Sequence, residues 1–180
     1  MKQLIKFGLI LCAICLAATL VLAVTYQITR PKIEEQLRLE EKEALEAILP
    51  QADTFTEKKI DEIEYFEARK DGELKGYCIR ATGIGYGGFI RMVVGINTQG
   101  VIEGIEVLEH QETPGLGAKI DEVKPGEKDP WFLRQFKGKS AATIAVRKNI
   151  NAITGATISS RALTDAIRKT VTEFMAKVKQ

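Results

Sequence analysis

The sequence predicts an α+β protein with one N-terminal transmembrane helix followed by a single domain, which has a mainly antiparallel sheet and flanking helices. An uncharged apolar run lies near the N-terminus, strand-like segments separated by turn residues fill the middle, and an amphipathic helical repeat ends the chain. The predicted organisation is a membrane anchor at 1–30, a connecting helix at 31–50 and one domain at 51–180.

The apolar run from Phe7 to Val24 carries no charge and is close to the roughly 20 residues that a helix needs to cross a bilayer. A cleaved signal peptide is the alternative, but the run is long for a signal core and 21–23 is a poor cleavage site. Tyr26 follows at the depth of a membrane interface. We therefore expect an uncleaved anchor. Charge only slightly favours a domain outside the cytoplasm, because the basic residues are balanced across the run: Lys2, Lys6, Arg30 and Lys32.

Composition excludes several classes of function. The net charge of +2, without a basic cluster among aromatics, argues against nucleic-acid binding. With His110 as its single histidine, the chain has no His-rich metal site, and its three cysteines make no disulfide framework. Cys78 is predicted to be a core thiol. Cys12 and Cys15, one helical turn apart in the apolar run, are interpreted as packing residues, with a ligand pair for a metal as the alternative.

After the anchor, Pro31 is predicted to open a helix that Pro50 ends. Its apolar face comprises Ile33, Leu37, Leu45 and Ile48. Strands are predicted at 63–68, 75–82, 89–97 and 101–108, with turns at 70–72 and 98–100. The run from Gly83 to Gly88 is too rich in glycine for a strand ladder and suits close approach by a ligand, with a plain flexible loop as the alternative.

The C-terminal third is predicted to hold a short helix from Pro130 capped by Asp129, whose aromatic residues belong to the core, and a strand at 142–146. A long helix then follows the hydroxyl-rich run 151–160. Its apolar repeat comprises Leu163, Ile167, Thr170, Phe174 and Val178. A helix N-terminus offers free N–H groups to a phosphate, although Thr154 or Thr157 could instead be a simple helix cap.

The segment Asn151-x-x-Thr154-Gly155-Ala156-Thr157 resembles the flavinylation motif of the FMN-binding domain family, Asp-x-x-Ser/Thr-Gly-Ala-Thr. The resemblance implies that a flavin transferase uses FAD to join FMN to the Thr157 hydroxyl through a phosphoester. Asn151 stands where the family commonly has Asp, which keeps the size but loses a charge.

A second segment, Glu112-Thr113-Pro114-Gly115-Leu116-Gly117, resembles the other hallmark loop of that family. With the anchor, the arrangement resembles the G subunits of Rnf electron-transport complexes, with the C subunits of sodium-pumping NADH:quinone oxidoreductases as relatives. The resemblance implies an electron-carrying subunit that works with other membrane subunits. Such complexes transfer electrons between ferredoxin and NAD, coupled to Na⁺ or H⁺ transport. It also implies an FMN-binding domain outside the cytoplasm.

No nucleophile–base pair or carboxylate pair forms a substrate-converting site, so no catalytic residue is predicted. By resemblance, the FMN contacts are Glu112, Thr113, Leu116, Thr154 and Gly155. The place of the motif at a helix start makes the N–H groups of Ala156, Thr157 and Ile158 the expected phosphate donors. Residue type alone adds Tyr86 and Lys148. The alternatives are a membrane-tethered scaffold module and a flavinylated domain that serves a sensor or another reductase.

Overall fold

The computed structural model describes residues 2–178, and the chain divides into two compact units after Glu40. It has the predicted architecture of an N-terminal helix, one antiparallel sheet and a C-terminal helix.

Helix α1 spans Lys2–Ile48, 47 residues. It is the helix among the described residues that is long and apolar enough to cross a membrane. The prediction that Pro31 opens a separate helix is wrong, because α1 passes through Pro31. A proline there removes one backbone hydrogen bond but leaves the rest of the ladder. The boundary at 30/31 therefore has no counterpart in secondary structure and stays a prediction of where the membrane ends.

The sheet is an antiparallel meander of five strands in sequence order. The strands are β1 Thr54–Ile60, β2 Ile63–Lys70, β3 Glu73–Ile84, β4 Phe89–Asn97 and β5 Ile102–His110. The predicted strands correspond to β2 to β5. Positive φ angles at Asp71, Gly72 and Gly100 show that the predicted turns need residues that tolerate this conformation. Sequence analysis missed β1, because this edge strand is mostly exposed and polar.

Helix α2, Thr157–Val178, covers one face of the sheet. Its buried residues Leu163, Ile167 and Phe174 follow the predicted helical repeat. The Phe174 ring packs against Tyr65 and Tyr77, with centroids 4.8 and 5.0 Å away. The opposite face buries the end of α1. A second cluster joins Leu45, Ile48 and Leu49 to Phe66, Ala68, Cys78 and Val93.

Between β5 and α2 the chain is mostly irregular, with 3₁₀ helices at Gly117–Ile120, Leu133–Phe136 and Ala141–Thr143. The predicted strand at 142–146 is wrong, because Val146 forms only an isolated bridge with Ile150. The predicted helix from Pro130 is also corrected. It is a 3₁₀ turn that follows Phe132, without a cap from Asp129. Phe132 and Phe136 are fully buried, which confirms the prediction that these aromatics belong to the core.

Candidate functional site

The glycine-rich run forms the tip of the β3–β4 hairpin. Pairing continues through Gly83 with Ile90 and through Ile84 with Phe89, so the prediction that this run is unsuited to a ladder is wrong at these positions. The turn closes with a hydrogen bond from the Gly85 N–H to the Gly88 carbonyl, 2.8 Å. Because Gly83 has no side chain, β3 comes close to α2. A Cβ at Gly83 would lie 2.9 Å from the carbonyl oxygen of Ala162.

Two other glycines of this hairpin allow the chain that follows β5 to pack against the hairpin. A Cβ at Gly85 would overlap the Glu112 carboxylate, and one at Gly87 would overlap the Gln111 carbonyl oxygen. The close approach that the glycines permit is therefore made by another loop of the protein.

Glu112 is a buried carboxylate, with 6% of the residue exposed. Its Oε1 accepts a hydrogen bond from the Gly87 N–H at 3.3 Å, and its Oε2 accepts one from the Ser159 hydroxyl at 2.6 Å. Gly117 lies against the same carboxylate, and a Cβ there would overlap it. Glu112 thus connects the hairpin tip, its own loop and the first turn of α2.

The start of α2 is fixed by backbone and side-chain bonds around Thr157, the first helical residue. Gly155 has a φ of +82°, a conformation that favours glycine. The Ala156 N–H donates to the Ile153 carbonyl at 3.0 Å, so the prediction that it is a phosphate donor is wrong: a chain turn before the helix already uses this N–H. The Ser160 hydroxyl accepts from the Ile153 N–H at 3.0 Å. The interpretation of Thr154 or Thr157 as a hydroxyl cap is wrong, because neither side chain is a hydrogen-bonding partner among residues 2–178.

This helix start has the features of an anion site. Within residues 2–178, the N–H groups of Thr157, Ile158 and Ser159 have no protein acceptor, as expected for the first turn of a helix. Thr157 itself is a half-buried residue at this helix start. The free N–H groups and the helix dipole favour a phosphate next to this hydroxyl.

The two sequence motifs meet at Leu116. A Cβ on Gly155 would lie 3.0 Å from Leu116 Cδ2, and the Leu116 residue is 46% exposed. The Thr113 carbonyl closes this loop by accepting from the N–H groups of Leu116 and Ala118 at 3.1 and 3.2 Å. The side chains of Leu116 and Ile158, the latter 57% exposed, therefore offer apolar surface beside the helix start.

The structure brings some predicted site residues together and leaves others apart. Gly155, Ala156 and Thr157 form the turn into α2, Leu116 adjoins it, and Thr113 and Thr154 are exposed in these two loops. Tyr86 is 74% exposed at the hairpin tip. Lys148 is exposed in a turn whose side-chain bonds run to Lys139 and Thr143, and the described contacts do not join it to Thr157.

Sequence analysis missed Ser159 and the His110–Asp121 pair. His110 Nδ1 accepts from the Glu112 N–H at 3.2 Å, and Nε2 lies 3.0 Å from Asp121 Oδ2, so the proton of the neutral ring belongs on Nε2. Ser159 precedes Leu163 and Ile167 at four-residue steps, so a small hydroxyl residue occupies the apolar face of α2. A serine on the apolar face of a helix could have been recognised in the sequence, because a buried hydroxyl needs a hydrogen-bonding partner elsewhere in the fold.

The residues at this site fit FMN. A terminal phosphate needs N–H donors, covalent attachment needs a hydroxyl beside them, and the ring needs apolar surface. The start of α2 supplies the first two, and Leu116 with Ile158 supplies the third. Among residues 2–178, no cluster of His, Cys, Asp or Glu side chains is arranged to hold a metal ion.

Comparison with known proteins agrees with this assignment. Residues 85–172 match the FMN-binding domain family, and residues 1–48 match the RnfG N-terminal region. The chain is 33% identical to the G subunit of the ion-translocating oxidoreductase complex of Methanosarcina acetivorans, over 94% of each protein. It is also 33% identical to the G subunit of the Na(+)-translocating ferredoxin:NAD(+) oxidoreductase complex of Acetobacterium woodii, over 94% of this chain and 91% of that protein.

A solved structure has the same fold. The C subunit of the Na(+)-translocating NADH-quinone reductase of Parabacteroides distasonis superposes with a TM-score of 0.52 at 24% identity, over 66% of this chain and 63% of that one. The family resemblance seen in the two motifs is confirmed over nearly the whole chain. The chain belongs to the family of G subunits of Rnf-type ion-translocating oxidoreductase complexes.

Proposed function

We propose that this chain is the electron-carrying flavoprotein subunit of an ion-translocating membrane oxidoreductase complex, with FMN joined covalently to Thr157. The observation that carries the proposal is the helix start, where a half-buried threonine adjoins N–H groups that have no protein acceptor within residues 2–178. The motif around Thr157 and the match to the FMN-binding domain family support the same assignment.

Attachment is a phosphoryl transfer from FAD, catalysed by a flavin transferase. A bond forms between Thr157 Oγ and the phosphorus of the FMN moiety, while the bond from that phosphorus to the bridging oxygen breaks. AMP leaves with the bridging oxygen, and the hydroxyl proton passes to a base or to water. The N–H groups of Thr157, Ile158 and Ser159 would hold the phosphate. The loop with Leu116 would shield the ring from water.

Bound FMN would supply one- and two-electron redox chemistry. The chain itself offers binding and orientation, since sequence analysis identifies no substrate-converting residue set. We therefore propose a relay role, in which other subunits of the complex donate and accept the electrons. One relative is named as part of a sodium-translocating ferredoxin:NAD(+) oxidoreductase, and another, from Clostridium ljungdahlii, as part of a proton-translocating one. The proposal covers either ion.

Helix α1 supports a single-pass anchor, and the domain is proposed to lie outside the cytoplasm. A C-terminal alkaline phosphatase fusion tests this sidedness, because the phosphatase is active only after export. An inactive phosphatase, together with an active cytoplasmic reporter at the same position, would place the domain in the cytoplasm.

The attachment is tested with Thr157→Ala in the full chain, co-expressed with the transferase. Intact mass and flavin fluorescence on a denaturing gel should show FMN on the wild type and none on the variant. The variant should stay folded, because the Thr157 side chain has no bonding partner among residues 2–178 and such changes usually alter stability by about 0.5 kcal/mol or less. Thr172→Ala, an exposed threonine of the same helix, is the matched control and should keep its flavin. An alanine variant that still carries FMN would refute the assignment.

A further inference from the structure

The buried bond between Glu112 and Ser159 links residues that are 47 positions apart in the chain. Ser159 is 1% exposed and Glu112 is 6% exposed, so neither side chain is open to solvent. The Ser159 hydroxyl donates to Glu112 Oε2 at 2.6 Å, and the other carboxylate oxygen is held by the Gly87 N–H. Family resemblance assigns Glu112 to the flavin, whereas the contacts of its carboxylate run to protein groups at both oxygens.

The bond also constrains the residue that receives the flavin. Successive helical residues are rotated by about 100°, so Thr157 and Ser159 point about 200° apart around α2. When Glu112 holds Ser159 toward the core, Thr157 must face outward, in agreement with its half-buried position. The first turn is where a helix frays most easily, because its N–H groups have no intrahelical acceptors.

We propose that Glu112 and Ser159 are positioning residues, which set the rotation of the first turn of α2 and so present the Thr157 hydroxyl to the flavin transferase. The inference rests on the proposed attachment at Thr157. It adds two residues that would affect flavin transfer indirectly, by orienting the first turn of α2. In this scheme neither side chain touches the transferred group, and the Ser159 backbone N–H that would hold the phosphate is kept in every variant. Their effect should therefore appear in the turnover rate of the transfer, with little effect on how tightly the transferase binds the chain.

The test uses the full chain, expressed without the transferase, purified in detergent and then incubated with the transferase and FAD. Intact-mass time courses at several chain concentrations give kcat and KM for flavin transfer. Ser159→Ala should lower kcat by about 10- to 100-fold, the scale expected for a reacting group displaced by about 1 Å, and should change KM by less than about 3-fold. Glu112→Ala should have the same effect.

Conservative variants separate positioning from a general loss of structure. Glu112→Gln should retain kcat within about 3-fold, since its amide oxygen can accept from Gly87 while its amide nitrogen donates to the Ser159 hydroxyl. Ser159→Cys keeps the shape of the side chain with a somewhat larger atom and donates weakly, so its kcat should lie between those of the wild type and Ser159→Ala. Thr164→Ala is the matched control. Among residues 2–178 this buried hydroxyl of the same helix bonds only to the Ser160 carbonyl, at 2.8 Å, and its loss should leave kcat unchanged.

The double variant Glu112→Ala with Ser159→Ala should be no slower than either single variant, because both remove the same bond. Equal kcat for the wild type and Ser159→Ala would refute this inference alone, as would a loss of kcat in Thr164→Ala of the same size. A wild-type chain that gains no flavin mass would refute the proposed attachment and, with it, the inference.

Discussion

The end of α1 provides a strong test of where the folded domain begins. Residues from Glu41 onward belong to the same compact unit as the sheet. Leu45, Ile48 and Leu49 are 3%, 7% and 0% exposed, and they cover the sheet face opposite α2. A chain that starts at Gln51, the predicted domain boundary, lacks all of these side chains.

The magnitude follows from burial. Each fully buried Leu or Ile side chain contributes about 1.5–3 kcal/mol, so the three together contribute about 4.5–9 kcal/mol. A domain of ordinary stability has about 5–15 kcal/mol in total. Truncation to Gln51 also removes Glu41, whose carboxylate receives two hydrogen bonds from Arg80, at 2.6 and 2.7 Å. The chain 51–180 should therefore be unfolded or barely stable, whereas the chain 41–180 should fold.

Urea denaturation followed by circular dichroism compares the two chains. The chain 41–180 should show one cooperative transition, and the chain 51–180 should show a transition at much lower urea or none. A control chain that starts at Glu41 and carries Glu41→Gln separates the ion pair from the apolar contacts, and should keep most of the stability. Equal urea midpoints for the chains starting at Glu41 and Gln51 would contradict the assignment of these α1 residues to the domain core.

Further predictions concern single residues. Leu116→Ala should shift the midpoint potential of the flavinylated chain in a potentiometric titration, because water would reach the proposed ring site. Superimposable titrations would remove Leu116 from that site. Gly117→Ala should cost about 1–3 kcal/mol in chemical denaturation, since the new Cβ overlaps the Glu112 carboxylate, and an unchanged midpoint would contradict this packing. Burial raises the pKa of Cys78 to about 12, so its thiol should resist alkylation at pH 8 until the protein is unfolded. Because an unfolded thiol ionises near pH 8.5, this burial stabilises the fold below that pH, and the contribution is lost as pH rises toward 12. Rapid alkylation of Cys78 in the native state would refute the burial.

Local patterns in the sequence were sufficient for much of this protein. The apolar run, strands β2 to β5 and α2 were all predicted, because each carries a periodicity or a turn signal within a few residues. The motif around Thr157 could also be read directly, since it is one continuous segment. The errors occurred where local preference was weak. Strand β1 was missed because its burial pattern is that of a polar edge, and Pro31 was interpreted as a helix start although α1 accommodates it.

Tertiary structure alone decided how these segments meet. The local sequence around Glu112 does not indicate that its carboxylate accepts a hydrogen bond from Ser159. The glycine-rich run likewise does not indicate that the Glu112 carboxylate packs against Gly85. The assignment of the α1 terminus to the core depends equally on residues far away, in β2, β3 and β4. Such contacts leave no periodic mark in the chain, because they result from packing between elements whose relative positions are fixed only when the whole sheet and both helical segments bury their apolar surfaces together.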